Sequence, residues 1–176
     1  MILTIPIESE RLTLRSLDVS DATERYVSWL KDKTVNQYLE TRNATIESLA
    51  RYIEEKQKSG TALFLGIFVK ETGEHIGNVK LEPIEGGRAT MGILIGERFW
   101  WGKGIATEVT NAVSDYAFRH LGVTEMNLGV IAENAAAIRV YEKCGFVVDR
   151  VEKDALNHSG KKFDQVFMVK KVESRK

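Results

Sequence analysis

At 176 residues, of which 43% are hydrophobic, the chain is long enough to bury one substantial core. Its 25 basic and 25 acidic residues cancel, which excludes a global field directed at nucleic acid, an anionic membrane or a polyanionic substrate. The single cysteine, Cys144, excludes an internal disulfide, and the scattered His75, His120 and His158 offer no spacing that closes a metal site.

Along the chain, Glu8, Glu10 and Arg11 near Met1 lack the basic-then-apolar order of a signal peptide. The longest apolar run, from Ala62 to Val69, falls far short of the ~20 residues that span a bilayer. These features predict a cytoplasmic protein with no membrane or nucleic-acid partner, formed as one domain over residues 1–176.

Arg11 to Leu17 alternates as a strand, and Asp18 and Asp21 offer N-caps for a helix carrying Tyr26, Trp29 and Leu30. A second helix is expected from Thr45 to Lys58. Strands follow over Leu63–Lys70, His75–Leu81 and Thr90–Gly96, with turns at Glu71–Glu74 and Gly86-Gly87. A helix from about Gly104 to His120, a strand over Glu125–Ile131 and a helix over Asn134–Lys143 come next. Strands near Phe146–Val151 and Phe163–Lys171 close the chain, joined by a polar excursion through Asn157 and Gly160. A meander followed by alternating helices and strands predicts a mixed α/β fold: a mostly antiparallel sheet of about seven strands, flanked by about four helices. The ligand site belongs where two strands splay apart.

The most informative stretch runs from Ile93 to Thr107, where an apolar strand passes into alternating glycines that open a helix. Glycines allow close backbone approach to a phosphate, and the free N–H groups of a helix N-terminus favour an anion there. A nucleotide P-loop needs four residues between its first glycine and Gly-Lys-Ser/Thr, whereas Gly96 and Gly102 enclose five and Gly104 follows Lys103. The dinucleotide fingerprint fails as well, because Gly102-Lys103-Gly104-Ile105-Ala106-Thr107 lacks its last glycine and follows a meander.

Trp101-Gly102-Lys103-Gly104-Ile105-Ala106 resembles the pyrophosphate loop of the GNAT superfamily of acetyl-CoA-dependent N-acetyltransferases, whose usual form is Gln/Arg-x-x-Gly-x-Gly/Ala. Tryptophan at 101 is similar to the Rim-like branch, which includes ribosomal-protein N-terminal acetyltransferases, and Glu10 to Arg15 is similar to that branch's first strand. The segment from Glu133 to Phe146 resembles the family motif Asn-x-x-Ser-x-x-x-Tyr-Glu-Lys-x-Gly-Phe, with Ala137 replacing the serine. The resemblance implies acetyl-CoA as cosubstrate, held by Trp101, Gly102, Lys103, Gly104, Ile105, Ala106 and Thr107. It further implies that backbone groups of Leu94, Ile95 and Gly96 pair with the pantetheine arm and that Asn134 bonds it from the next strand. Tyr141 would stand near the sulfur as general acid. Without the motif, Tyr141 reads equally as a tyrosine packed at a helix end.

Acetyl transfer by direct attack needs an oxyanion donor and a proton for the departing thiolate, but no protein nucleophile and no metal. Asn78, Lys80 and Glu82 share one face of their strand. That makes Glu82 a candidate base and Asn78 and Lys80, with Arg42, candidate acceptor contacts. Glu97 is a second candidate base; a solvated role suits either carboxylate. Cys144, before Gly145-Phe146, reads as a small buried residue, His75 as a hairpin residue and His120 as a helix-end charge. The resemblance leaves the acceptor open between a protein N-terminal amine and a small-molecule amine. A nucleotide-linked amino sugar is one alternative, a non-catalytic acetyl-CoA-binding module another. A homodimer is admitted only on general grounds.

Overall fold

The computed structural model describes residues 1–37, 39, 43–158 and 160–172. The chain begins with a two-residue strand, β1 (Ile7–Glu8), hydrogen-bonded to β2 (Leu12–Ser16). The helix expected after Asp18 is divided. Asp18 caps a 3₁₀ turn over Val19–Asp21, and Thr23 caps α1 (Glu24–Lys31), because the Asp21 carboxylate turns back to accept from the Asp18 N–H and the Arg15 guanidinium. Thr45 caps α2 (Ile46–Lys58) in a reciprocal box with Ser48.

The meander comprises β3 (Leu63–Val69), β4 (His75–Glu85) and β5 (Arg88–Ile95). β4 runs beyond the expected Leu81 because its register with β5 shifts between Leu81 and Ile84. Pro83, which has no N–H to give a ladder, stands in that irregularity. Next come α3 (Ile105–His120), β6 (Glu125–Ile131), α4 (Ala135–Lys143), β7 (Val147–His158) and β8 (Lys161–Lys171). The polar excursion expected after Val151 is therefore part of a long hairpin. Register shifts at Val148/Arg150 and Glu152/Leu156 break the alternation that would have revealed β7 as one strand.

The eight strands form one mixed sheet in the order β1-β2-β3-β4-β5-β6-β8-β7. Each face carries its own core. Under α3 and α4, alternate residues such as Leu63, Leu65 and Ile67 meet a helical stripe spaced by four, Ile105, Val109, Val113 and Ala117. Under α1 and α2 the core is aromatic, with Tyr26, Trp29, Phe64 and Phe68. His75, which begins β4 just after the 71–74 turn as expected of a hairpin residue, is half-buried: its ring stacks on Phe68 at 4.7 Å and meets Trp29 edge-on at 5.0 Å.

Candidate active site

Among the described residues the only parallel pairing, β5 with β6, is confined to Arg88–Thr90 and Glu125–Asn127. Beyond it the strands separate and open a cavity of about 790 Å³, a size suited to a small-molecule ligand. The rest of β5 from Met91 and the end of β6 from Gly129 form its walls, and the start of α4 and the 101–107 loop complete it on the α3 side. On the other side it reaches Thr34, Val35, Gln37 and Leu39 between α1 and α2, and Leu156, His158 and Gln165 on the terminal hairpin.

Hydrogen bonding alternates along an antiparallel strand. The Gly96 N–H goes to the Ile76 carbonyl at 2.9 Å, and the Leu94 carbonyl abuts Gly77 on β4. The backbone groups of Ile93 and Ile95 consequently face the other way, into the splay. Of Leu94, Ile95 and Gly96, then, the structure turns Ile95 toward the cavity through its main chain and adds Ile93, which the sequence motif did not single out. The Ile95 carbonyl accepts the Trp101 indole N–H at 2.8 Å, tying the loop to the strand.

Gly102 and Gly104 have φ of 70° and 78°, in the left-handed region that glycine tolerates. A side chain at Gly102 would meet nothing within 4 Å, so the backbone there is open to a ligand. Gly104 stands as N-cap of α3 without a side-chain cap, and the first-turn N–H groups of Ile105, Ala106 and Thr107 have no intrahelical acceptor. This is an anion cradle, and a pyrophosphate fits its donors. The N-terminal segment braces it. The Arg11 guanidinium donates to the Lys103 carbonyl at 2.9 Å and to Glu108 in the first turn of α3 at 2.7 Å, while Ser9 and the Arg11 N–H also donate to Glu108. Lys103 itself lays its ammonium over the Phe99 ring.

Asn134 lines the cavity and caps α4, its Oδ1 accepting the Ala137 N–H at 3.2 Å, a bond that does not use the amide NH₂. Tyr141 lines the same cavity from α4 and is 93% buried, packed edge-on against Phe146. Burial, with a smaller contribution from Cys144, pushes its hydroxyl up to about 12. Cys144 is buried beneath it, its thiol raised by burial and directed at the Thr107 carbonyl at 3.6 Å.

The predicted acceptor-side residues are placed differently. Asn78 is buried and bonded to His75 at 2.8 Å, and the Lys80 ammonium donates to the Tyr52 hydroxyl at 2.6 Å. Glu82 accepts from Lys56 at 2.7 Å and pairs with Lys80 at 3.0 Å. Burial raises the Glu82 carboxyl, but the two lysines outweigh it and hold the group below its ordinary range. Glu97 accepts from the Trp29 indole at 2.9 Å and from Arg25 at 3.1 Å. None of these four lines the cavity. Arg42 lies outside the described residues. The sequence reading missed His158 and Gln165 as cavity residues; an unbroken alternation through the terminal hairpin would have pointed to them.

Residues 11–147 match the family described as the Acetyltransferase (GNAT) domain. The chain belongs to the GNAT acetyltransferase family. It is 33% identical over 166 residues to the uncharacterized N-acetyltransferase p20 of Bacillus licheniformis, covering 91% of this chain and 92% of that relative. This GNAT chain is an N-acetyltransferase. Its fold is shared by the spermidine N-acetyltransferase of Vibrio cholerae solved with CoA and spermine, at TM-score 0.82, 24% identity and coverage of 92% and 95% of the two chains. The ribosomal L7/L12 α-N-protein acetyltransferase RimL, solved with coenzyme A, shares it at TM-score 0.85, 20% identity and coverage of 95% and 98%. Among the described residues no three His, Cys, Asp or Glu side chains converge as a metal site, and no helix is long and apolar enough to cross a membrane.

Proposed function

We propose that the chain moves the acetyl group of acetyl-CoA to a primary amine by direct attack, with Tyr141 serving the departing sulfur. The observation that carries this reading is one continuous cavity lined by the glycine cradle, by the unpaired edge of β5 and by Tyr141. In this reading the first-turn N–H groups of α3 hold the pyrophosphate, Ile93 and Ile95 align the pantetheine arm, and the Asn134 amide donates to it. The bound thioester supplies the activated acetyl group. The Ile95 N–H, facing the splay, is the donor for the oxyanion.

A phenol near 12 is a weaker acid than an ordinary thiol near ~8.5. Tyr141 therefore acts while negative charge develops on sulfur, donating its hydrogen bond as the bond breaks. Glu82 and Glu97, held in ion pairs away from the cavity, reach an amine proton only through water. A terminal α-amine, with a pKa near ~8, is partly neutral at physiological pH and needs no strong base.

In this reading the acceptor end is the side lined by Thr34, Gln37, Gln165 and His158, and the one carboxylate among the described residues lining the cavity, Glu133, faces Lys161 at 3.4 Å. That lining is poorly matched to a polycation and suits an amine flanked by amide or hydroxyl groups. The nucleotide-linked amino sugar rests on fixed cations, of which Lys80 is engaged by Tyr52 and Glu82. The acceptor we propose is a protein N-terminal amine or an uncharged small molecule bearing one amine. The test is release of CoA thiol from acetyl-CoA against free-N-terminus peptides, N-terminally blocked peptides, a nucleotide-linked amino sugar and spermidine. Turnover with free-N-terminus peptides alone is expected. Turnover with spermidine alone overturns the acceptor class, and acetyl-CoA binding without turnover on any amine replaces the enzyme reading with a binding module.

A further inference from the structure

The strands on the β6 side of the cavity sort their side chains between the two faces of the sheet. On β6, Met126, Leu128 and Val130 enter the core under α3 and α4, and on β8 Val166 and Met168 do the same. Successive side chains of a strand point to opposite faces. Gly129 and Ile131 of β6 and Gln165 and Phe167 of β8 therefore belong to the α1 and α2 side, away from the helix that opens at the glycine cradle. The register agrees, since Ile131 pairs with Gln165 and Gly129 with Phe167, and directly opposed residues share a face. Gly129 lies past Asn127, where β6 has left β5, and both Gly129 and Gln165 line the cavity. A side chain on Gly129 would begin where the Gln165 Nε2 now lies, with the Phe167 ring 3.5 Å from the same point. The absent side chain makes the seat in which the glutamine amide rests.

Gln165 is half-buried, and among the described residues nothing is hydrogen-bonded to its side chain. Its carbonyl acceptor and its N–H donors are left to a ligand. Resting on the reading that this cavity acetylates an amine, we propose that Gln165 is a specificity-determining residue, which selects a peptide N-terminus by hydrogen-bonding the first peptide group beyond the reacting α-amine. That group presents one carbonyl and one N–H, the complements of an amide side chain, directly after the α-carbon. An amine on a hydrocarbon chain presents methylenes there and leaves the amide unpaired, which counts against it. The uncharged amide also gives a second ammonium no counter-charge, so a polyamine gains nothing at this position.

The test follows CoA-thiol release with an alanine tripeptide, hexylamine and spermidine as acceptors, with acetyl-CoA affinity measured by titration calorimetry on each variant. The parent should prefer the peptide. Gln165→Leu keeps the bulk and removes the amide, so the peptide KM should rise roughly tenfold, and the ratio of peptide to hexylamine kcat/KM should fall by about as much, with acetyl-CoA affinity preserved. Gln165→Glu places a carboxylate in the same seat and should shift kcat/KM from the peptide toward spermidine by about tenfold or more. Gly129→Ala fills the seat and displaces the amide, so it should reproduce the peptide defect of Gln165→Leu, and combining the two should add nothing further. A packing role alone would affect all three acceptors alike and leave the ratios between them unmoved. A parent that prefers hexylamine or spermidine overturns the proposal. So does a peptide KM indifferent to Gln165→Leu, or a Gln165→Glu variant without the shift, and in each of these cases acetyl transfer itself stands. A parent that binds acetyl-CoA but turns over none of the three acceptors removes the direct-transfer reading, and the proposal with it.

Discussion

The two faces of the sheet handle polar groups in opposite ways. On the α3 side, a core of aliphatic residues presses against the sheet, and the cavity is offered chiefly main-chain groups, the N–H groups opening α3 and the backbone of β5, with the Asn134 and Tyr141 side chains beside them. On the α1 and α2 side the polar groups are side chains, each with a specific partner: His75 with Asn78, Lys80 with Tyr52, Glu82 with Lys56, Glu97 with Trp29. A backbone site depends on glycines and a helix start, so it tolerates most side-chain changes and fails where a glycine is lost. A side-chain network can lose one member and keep the cavity. The first face should therefore govern ligand binding and the second stability.

The largest effect expected on this comparison comes from Gly104→Asp. The new carboxylate would lie at the N-terminus of α3, where negative charge stabilises the helix but repels a pyrophosphate. Acetyl-CoA affinity should fall by about 100-fold or more; the left-handed φ of 78° at this position also lowers the melting temperature, so affinity is compared well below the variant's own melting range. Titration calorimetry measures the first, and unchanged affinity would place the cofactor elsewhere. Tyr141→Phe ranks next. Loss of the hydroxyl should reduce kcat by roughly 100-fold or more with acetyl-CoA affinity preserved, since general acid catalysis contributes about 100- to 10,000-fold. Wild-type turnover would remove Tyr141 from the chemistry.

Glu82→Gln tests the other face. It breaks a half-buried pair with Lys56, whose side chain is 12% exposed, and leaves that ammonium with less compensation. A destabilisation of about 1 kcal/mol is expected, with kcat nearly unchanged. If kcat instead falls by about 100-fold without a stability change, the proton leaves the amine through Glu82 after all.

What the sequence disclosed follows the same division. Gly102, Gly104, Asn134 and Tyr141 lie in short contiguous segments, and a backbone cradle needs its residues close together, so the spacing carries the geometry. The alternation of Asn78, Lys80 and Glu82 also correctly placed them on one face. It could not show that Tyr52 and Lys56 of α2 would lie over them, because helix docking is decided by packing between residues 26 and 28 positions apart in the chain. β7 was shortened in the sequence reading for a related reason. Asp154 adopts a φ of 52° and donates its N–H to Asp164 at 3.0 Å, and such a bulge interrupts the period of two on which strand recognition depends. Leu156 and His158, beyond it, were lost from the site with the strand.

The smallest effect, and the sharpest contrast between the faces, concerns pH. Burial lowers the His75 pKa, and the bonds from Asn78 and Gly77 and the charge of Asp21 oppose that only in part, with Arg15 adding to the depression. The unfolded chain, with an ordinary histidine near ~6.5, then binds a proton more readily than the folded one. For a group depressed on folding, the stabilisation is present above the unfolded value and is lost as pH falls toward the folded one. Melting temperature should therefore fall between pH 7.5 and 5.5. The depressed carboxylates Asp21, Glu82 and Glu108 contribute their own loss only below the ordinary carboxyl range near ~4, outside this window. His75→Gln keeps a hydrogen-bonding group of similar reach but cannot titrate, so its melting temperature should fall less over the same interval, the remaining dependence coming from the Met1 ammonium, which burial also depresses. A parallel drop in the variant would show that the acid sensitivity arises elsewhere, and that the buried imidazole is simply another member of the aromatic core.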